Sequence, residues 1–212
     1  TFTGGTGNDN ISGGIAADVL TGGDGTDTID GKAGGDEINS GKGADIVTGG
    51  AGADTFETSA PNTNANGGDK IQDFTKGTGG DEIEVNIATS ATVSLEEIAA
   101  DALTAKEADN GDVFVITGGT VVDTSGNETA DLAALNAVLM DAGNDAGEKN
   151  AEVLVVVNGD TDADGNADMI QVFYLHETGG TTTGTTFDEV EHIADLTNIA
   201  ATTDLAGDFV ST

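Results

Sequence analysis

Residues 4–57 read GGTGNDNIS-GGIAADVLT-GGDGTDTID-GKAGGDEIN-SGKGADIVT-GGAGADTFE, six consecutive frames of nine residues without an insertion. Self-similarity at a short fixed period is typical of a solenoid, in which every repeat forms one structural unit. The sixth position of the frame is always aspartate: Asp9, Asp18, Asp27, Asp36, Asp45 and Asp54. The eighth position is always apolar: Ile11, Leu20, Ile29, Ile38, Val47 and Phe56. The fourth position is glycine or alanine: Gly7, Ala16, Gly25, Gly34, Gly43 and Gly52.

These frames resemble the calcium-binding nonapeptide of the RTX (repeats-in-toxin) family over residues 1–57. The resemblance implies a mainly β fold, a parallel β-roll in which each repeat gives a GGxGxD turn and then a very short strand. Two repeats then make one coil of 18 residues, with odd and even repeats on opposite sheets. The resemblance also implies several Ca²⁺ ions in the turns. The candidate calcium ligands there are Gly4, Gly5, Gly7, Asp9, Gly13, Gly14, Asp18, Gly22, Gly23, Gly25, Asp27, Gly34, Asp36, Gly41, Gly43, Asp45, Gly49, Gly50, Gly52 and Asp54.

Elementary physical chemistry supports calcium in these turns. Equivalent aspartates of successive coils lie at sheet spacing, about 4.8 Å, where two carboxylates repel by roughly 3 kcal/mol at an effective dielectric constant of about 20. A cation between the turns removes this repulsion, and Ca²⁺ accepts six to eight carboxylate and carbonyl oxygens in flexible geometry. The alternative is a metal-free solenoid with aspartate as a turn residue. The eighth-position residues predict two inward columns, namely Ile11, Ile29 and Val47 on one side and Leu20, Ile38 and Phe56 on the other.

Three frames depart from the pattern. Ala16 and Ala17 replace turn residues in the second frame, Lys32 replaces a glycine in the fourth, and Ser40 replaces one in the fifth. We expect weaker calcium sites there, although the Lys32 ammonium can point to solvent. Residues 1–3 match positions seven to nine of a preceding repeat, so we expect either a longer roll upstream or a cap formed by Phe2.

Composition excludes several classes of function. The chain has 39 acidic residues against 6 basic ones and a formal net charge of −33, which opposes binding to nucleic acid or anionic membranes. A halophilic or merely soluble acidic surface is the alternative, but solubility requires no period. The absence of cysteine rules out disulfides and thiolate metal sites. No apolar run reaches transmembrane length.

Residues 58–87 contain a polar loop, DKIQDF at 69–74, a glycine-rich turn and DEIEVNI at 81–87. This segment resembles the one that closes the β-roll in serralysin-like metalloproteases and other type I secreted proteins. Residues 88–212 are predicted to form a C-terminal α+β or β-rich domain. Helices are expected at 94–107 and 129–142, a hairpin at 113–117 and 120–124, and strands at 153–157 and 169–175. Residues 187–199 are ambiguous between helix and strand.

A second acidic motif, D-x-D-x-D-G-x-x-D, lies between the last two strands at residues 160–168. Its first nine positions match an EF-hand loop, but Gln171 stands where the bidentate Glu is expected, and the flanks are strands. The motif resembles the calcium-binding hairpin loop of integrin α-subunit propellers. That resemblance implies a calcium site formed by Asp160, Asp162, Asp164, the carbonyl of Asn166, and Asp168. A plain acidic turn is the alternative.

No catalytic motif is found, since neither His176 nor His192 belongs to HExxH and no GxSxG or phosphate loop occurs. We therefore expect no enzymatic activity. The tail from Gly207 to Thr212 resembles an uncleaved type I secretion signal, which predicts export to the cell surface or medium. The favoured interpretation is a calcium-binding structural or adhesive surface protein that self-associates into an S-layer, filament or adhesin. The alternatives are a calcium-folding and secretion module of a secreted enzyme or toxin, and an acidic calcium-storage protein.

Overall fold

The computed structural model describes residues 1–58, 68–77, 79–85, 94–99, 112–117, 121–123, 152–160, 169–176, 189–197 and 209–211. All regular secondary structure within these ranges is β-strand. Contacts between Cα atoms divide the strands into two compact units, and the first begins at Thr1 and includes the repeats. The fold of that unit is a parallel β-roll.

Two parallel sheets form the roll. One sheet contains β1 (Phe2–Thr6), β3 (Val19–Asp24), β5 (Glu37–Lys42), β7 (Thr55–Thr58), β9 (Glu82–Val85) and β16 (Phe209–Ser211). The other contains β2 (Asn10–Ser12), β4 (Thr28–Asp30), β6 (Ile46–Thr48), β8 (Asp69–Ile71) and, from its last residues, β15 (Glu189–Leu196). Successive repeats therefore alternate between the two sheets.

Strand register confirms the coil of 18 residues. Ile11 is opposite Ile29, and Ile29 is opposite Val47. On the other sheet Leu20 is opposite Ile38, which is opposite Phe56. The eighth position of every frame is buried, so both predicted apolar columns form. The period of nine places one apolar residue at the equivalent position of every strand. These residues stack in two columns, one for each sheet, and the two columns form the core of the roll.

The two columns continue beyond the repeats. Ile71 of β8 follows Val47, and Leu196 of β15 follows Ile71. Ile83 of β9 follows Phe56 in the other column, and the backbone of Phe209 in β16 is opposite Ile83. Strands β8 and β9 thus continue the roll, and β15 and β16 extend it by one more coil.

The second unit contains β10 (Ser94–Ala99), β11 (Asp112–Thr117), β12 (Val121–Asp123), β13 (Glu152–Asp160) and β14 (Met169–His176). The hairpin of β13 and β14 is antiparallel, from Glu152 opposite His176 to Gly159 opposite Met169, as predicted. Val155, Val156 and Ile170 are buried, together with Val172 to Tyr174. Both faces of this hairpin are therefore covered.

Two predictions for this unit are wrong. Residues 94–99 are not helical but form β10, which pairs in parallel with β11 over its whole length. The β-branched and aromatic strand DVFVIT offers a complete ladder of backbone partners, and this pairing overrides the local helix preference. The expected hairpin of β11 and β12 is also absent, because both strands pair in parallel with β13. The predicted helix at 129–142 lies outside the described residues.

Candidate metal centre

The repeat aspartates form two ladders. In each ladder, Oδ1 of one aspartate accepts the backbone N–H of the aspartate one coil earlier. Asp9 N donates to Asp27 Oδ1 at 2.8 Å, and Asp27 N donates to Asp45 Oδ1 at 2.7 Å. On the other side Asp18 N donates to Asp36 Oδ1 and Asp36 N to Asp54 Oδ1, both at 2.8 Å. One oxygen of Asp27, Asp36, Asp45 and Asp54 therefore holds consecutive coils in register.

The second carboxylate oxygen has a different environment. Oδ2 is buried and lacks a hydrogen-bond donor in five aspartates: Asp9, Asp27, Asp36, Asp45 and Asp54. At most 2% of the residue surface is exposed in Asp27, Asp36, Asp45 and Asp54. A buried anionic oxygen without a donor or cation is strongly destabilising. Each of these five oxygens therefore identifies a position for a positive charge.

Glycine at the first position of the frame keeps this space open. A β-carbon at Gly4 would lie 2.6 Å from Asp9 Oδ2 and 2.5 Å from the carbonyl oxygen of Gly22, one coil further on. A β-carbon at Gly49 would lie 2.5 Å from Asp54 Oδ2. The unpartnered carboxylate oxygen therefore faces a cradle formed by its own turn, with a backbone carbonyl nearby.

Glycine at the second position is required for a different reason. Gly23 has φ of +116°, and a β-carbon there would collide with the carbonyl oxygen of Gly5 in the preceding coil. Left-handed backbone angles of this kind are accessible to glycine without steric cost. The tight turns therefore depend on glycine both for backbone conformation and for the close approach of neighbouring coils.

Burial and repulsion from neighbouring carboxylates oppose ionisation of Asp45 and Asp54. Burial is the main cause that raises the pKa of Asp45, and the Asp27 carboxylate raises it further. Burial likewise raises the pKa of Asp54, helped by the carboxylates of Asp81 and Asp36. A divalent cation reverses this effect, because it stabilises the ionised form of every carboxylate that it contacts.

Each ladder ends on an aspartate outside the six repeats. Asp69 Oδ1 accepts the N–H of Asp45 at 3.0 Å, and Asp81 Oδ1 accepts that of Asp54 at 2.9 Å. Sequence reasoning did not assign these two residues to the site. The signal was available, since Asp69-Lys70-Ile71 and Asp81-Glu82-Ile83 repeat the Asp-x-apolar spacing of positions six to eight.

Both terminal aspartates have protein donors for the second oxygen. Ser40 Oγ donates to Asp69 Oδ2 at 2.5 Å, and Thr75 N donates to Asp81 Oδ2 at 2.7 Å. Burial is the main cause of the raised pKa of both groups. It raises the pKa of Asp69 from 3.8 to about 7, and it also raises the pKa of Asp81. These two carboxylates therefore differ from the five that lack a donor.

In the two frames with Ala16 and Lys32, the turns differ from the other turns and from each other. Asp18 Oδ2, in the frame with Ala16 and Ala17, accepts the N–H of Gly14 at 2.9 Å within its own turn. Lys32 adopts φ of +79°, and its half-exposed ammonium pairs with Asp30 at the surface. The Lys32 charge is thus directed to solvent rather than into the turn, which leaves Asp36 Oδ2 without a donor.

The donor set fits calcium. Among the residues that the structure describes, no three acidic or histidine side chains converge on one point, so each cation requires backbone carbonyl oxygens in addition to carboxylates. A mixed set of carboxylate and carbonyl oxygens is what Ca²⁺ prefers. Residues 161–168 of the second predicted calcium loop lie outside the described ranges, and Asp160 is the last residue of β13.

His192 has a structural environment. Its Nδ1 accepts the N–H of Gly68 at 3.1 Å, and its Nε2 lies 2.8 Å from Asp195 Oδ1. This clasp joins the start of β8 to β15, where a β-carbon on Gly68 would lie 2.8 Å from the backbone of residue 192. Both ring nitrogens are engaged in holding the last coil.

A protein-family model agrees with this geometry. Residues 3–38 and 30–60 match the family model of the RTX calcium-binding nonapeptide repeat, in four copies. No curated protein matches the sequence significantly. Among solved structures, the chain is similar to the AlgE6R3 subunit of the Azotobacter vinelandii mannuronan C5-epimerase, determined in solution, with a TM-score of 0.43 and 20% sequence identity. That match covers 98% of this chain and 80% of the other.

Proposed function

Because residues 3–60 of this chain are RTX repeats and bind calcium, we propose that the chain is a calcium-folded structural segment of a secreted bacterial surface protein, such as an S-layer, filament or adhesin. Calcium supplies the positive charge that the ladders lack, and the roll supplies a rigid element outside the cell. The ligands are the ladder aspartates without a donor, together with the carbonyl oxygens of the glycine-rich turns.

The observation that carries this proposal is the set of five buried, unpartnered aspartate oxygens. Without a cation, these oxygens and the repulsion between neighbouring carboxylates oppose folding. Metal binding and folding are then one equilibrium. Weak extracellular calcium modules have dissociation constants of roughly 10⁻⁴ to 10⁻³ M, so a site of that class remains empty in the cytosol and fills outside the cell.

A structural role agrees with how the acidic side chains are used. Within the described residues of the roll, the buried carboxylates accept backbone N–H groups of the neighbouring coil and hold it in register. His192 is likewise bonded to Gly68 and Asp195. Groups fixed in this way stabilise the fold, and we infer that the described part of this chain contributes no catalysis.

The presence of RTX repeats also supports export of the protein from the cell. RTX repeats are typical of extracellular or secreted proteins, and no helix among the described residues is long and apolar enough to cross a membrane. We infer type I secretion, in which the calcium-free chain crosses the channel unfolded. Residues 209–211 of the proposed signal then become β16 of the folded roll.

Self-association into a surface array or filament is part of this proposal, and it is tested by the assembly of the calcium-loaded chain.

The test of calcium-driven folding is circular dichroism and thermal unfolding of the full chain, first with a chelator and then with millimolar calcium. We expect β-content to be lost on chelation and restored by calcium. Magnesium is the matched control, and it should restore far less because it demands small octahedral sites and retains its waters. Unchanged β-content and unfolding temperature in chelator would show that calcium is not required.

Assembly is tested separately by light scattering and electron microscopy of the calcium-loaded chain. Large ordered particles support the surface-layer or filament role. A chain that folds with calcium but remains monomeric favours the alternative, a calcium-folding and secretion module of a secreted enzyme or toxin. The two experiments therefore separate calcium binding from its use.

A further inference from the structure

Ser40 is a serine where five of the six frames have glycine, and its hydroxyl has a specific partner. Ser40 Oγ donates to Asp69 Oδ2 at 2.5 Å, while Asp69 Oδ1 accepts the N–H of Asp45. Ser40 and Asp69 are both 6% exposed. The Asp69 carboxylate is therefore satisfied on both oxygens by the protein itself.

The coil before it provides a direct comparison. Gly22 occupies the position equivalent to Ser40, and Asp45 occupies the position equivalent to Asp69. Gly22 has no hydroxyl to donate, and no donor lies within hydrogen-bond geometry of the buried Asp45 Oδ2. Ser40 also belongs to the turn of Asp45. Burial raises the pKa of that carboxylate, and the Ser40 hydroxyl acts against this effect by lowering it. At this position the two neighbouring coils have glycine and serine, and the hydrogen bonding of the carboxylate oxygen one coil further on differs accordingly.

The ladder also stops at this point. Ala194 of β15 is opposite Asp69 in the register, so the next coil contributes no carboxylate. A cation at Asp69 would have fewer acidic ligands than one at Asp27 or Asp45, each of which lies between two aspartates. A hydroxyl donor is sufficient for a single carboxylate oxygen, and it requires no metal.

We propose that Ser40 ends the calcium column of Asp9, Asp27 and Asp45 by placing its hydroxyl where a cation would otherwise neutralise Asp69. Asp69 is then a structural acceptor rather than a calcium ligand, and residue 40 sets how many ions this side of the roll binds. This inference rests on the proposed calcium-binding function of the ladder.

The experiment is calcium titration of the full chain by isothermal calorimetry, which counts the bound ions. Asp69→Asn keeps an acceptor for Asp45 N–H and gains an amide donor toward Ser40, so the number of ions should remain that of the wild type. The matched variant Asp27→Asn changes an aspartate without a donor, and it should bind at least one ion fewer.

Ser40→Gly removes the hydroxyl and should add one ion, and the double variant Ser40→Gly with Asp69→Asn should return to the wild-type number. Loss of an ion in Asp69→Asn, or no gain in Ser40→Gly, overturns the inference but leaves the proposed function intact. An unchanged number of ions in Asp27→Asn instead contradicts the proposed function. If Ser40→Gly fails to fold, the numbers of ions bound by Asp69→Asn and Asp27→Asn still test whether Asp69 is a calcium ligand.

Discussion

At the scale of the residue, the repeat aspartate divides its two oxygens between two tasks. Oδ1 accepts a backbone N–H from the coil before, as Asp45 Oδ1 does from Asp27 at 2.7 Å, and Oδ2 is left buried. Asparagine retains the first task but not the second, because its amide carries no negative charge. This division accounts for aspartate at positions 27, 36, 45 and 54, where both tasks are observed.

We predict that Asp27→Ala is more damaging than Asp9→Ala. Asp27→Ala removes a buried carboxylate and leaves the N–H of Asp9 without its acceptor, which costs about 1–3 kcal/mol in addition to the lost ligand. Asp9 accepts no equivalent bond from a preceding coil in the described chain. Calcium titrations followed by circular dichroism should show a larger rise in the midpoint for Asp27→Ala, and equal midpoints contradict the ladder. The exposed Asp24→Ala serves as the control.

Lys32 provides a second test at this scale. Its φ of +79° is unfavourable for a residue with a β-carbon, and its pairing with Asp30 at the surface contributes little. Lys32→Gly should therefore raise the free energy of unfolding by about 1 kcal/mol. Lys42→Gly is the control, because Lys42 has no positive φ and should show no gain. Thermal unfolding in calcium measures both variants. Equal changes in unfolding temperature would show that the positive φ of Lys32 is not the cause.

At the scale of the element, one coil consists of two short strands and two turns, and its register does not depend on loop length. Asp45 and Asp69 are neighbours in the ladder although they are 24 residues apart, and Asp54 and Asp81 although they are 27 apart. The Asp-x-apolar unit fixes the register, because it provides both the ladder bond and the buried side chain. Longer connections between units are therefore tolerated.

The loop at residues 160–168 is an element with its own proposed calcium site. The described strands β13 and β14 fix its two ends through the pair of Gly159 and Met169. All proposed ligands lie within nine residues, so binding needs no neighbouring coil. Asp162→Ala with Asp164→Ala in the full chain should abolish one calcium-binding event in calorimetry and leave the ladder sites unchanged. An unaltered titration, or loss of the ladder sites as well, contradicts a separate site.

At the scale of the whole molecule, a net charge of −33 opposes the compact state, and protons can replace part of what calcium supplies. Burial raises the pKa of Asp69 to about 7 in the fold, against 3.8 for an ordinary aspartate. Between these values the folded chain binds more protons than the unfolded chain. The free energy of unfolding therefore falls as pH rises from about 4 to about 7 and then becomes level.

We accordingly predict that, in calcium-free buffer, the folded fraction increases as pH is lowered from about 7 to about 5. Asp69→Asn should make this dependence shallower, because it removes one carboxylate that resists ionisation. Circular dichroism across the pH range measures both chains. A folded fraction that falls on acidification, or identical slopes in the two chains, contradicts the assignment.

The nine-residue period alone determined the roll. A fixed spacing of aspartate, glycine and one apolar residue defines the height and the face of every side chain, so the coil, the two columns and the aspartate ladder could be predicted from residues 4–57. Each of these features is local or repeats at constant separation. In a repeat of fixed length, equivalent residues of successive coils contact one another, so these tertiary contacts follow directly from the sequence period.

Other features depended on the tertiary structure. Residues 94–99 are a strand because β11 provides a parallel partner, and the end of β15 and all of β16 join the roll from more than 100 residues away. Whether a carboxylate oxygen lacks a donor, as in Asp45, or meets a hydroxyl, as in Asp69, also depends on which residue lies one coil away. Pairing between distant segments leaves no periodic trace in the sequence, because its energy comes from contacts that exist only once the chain has folded.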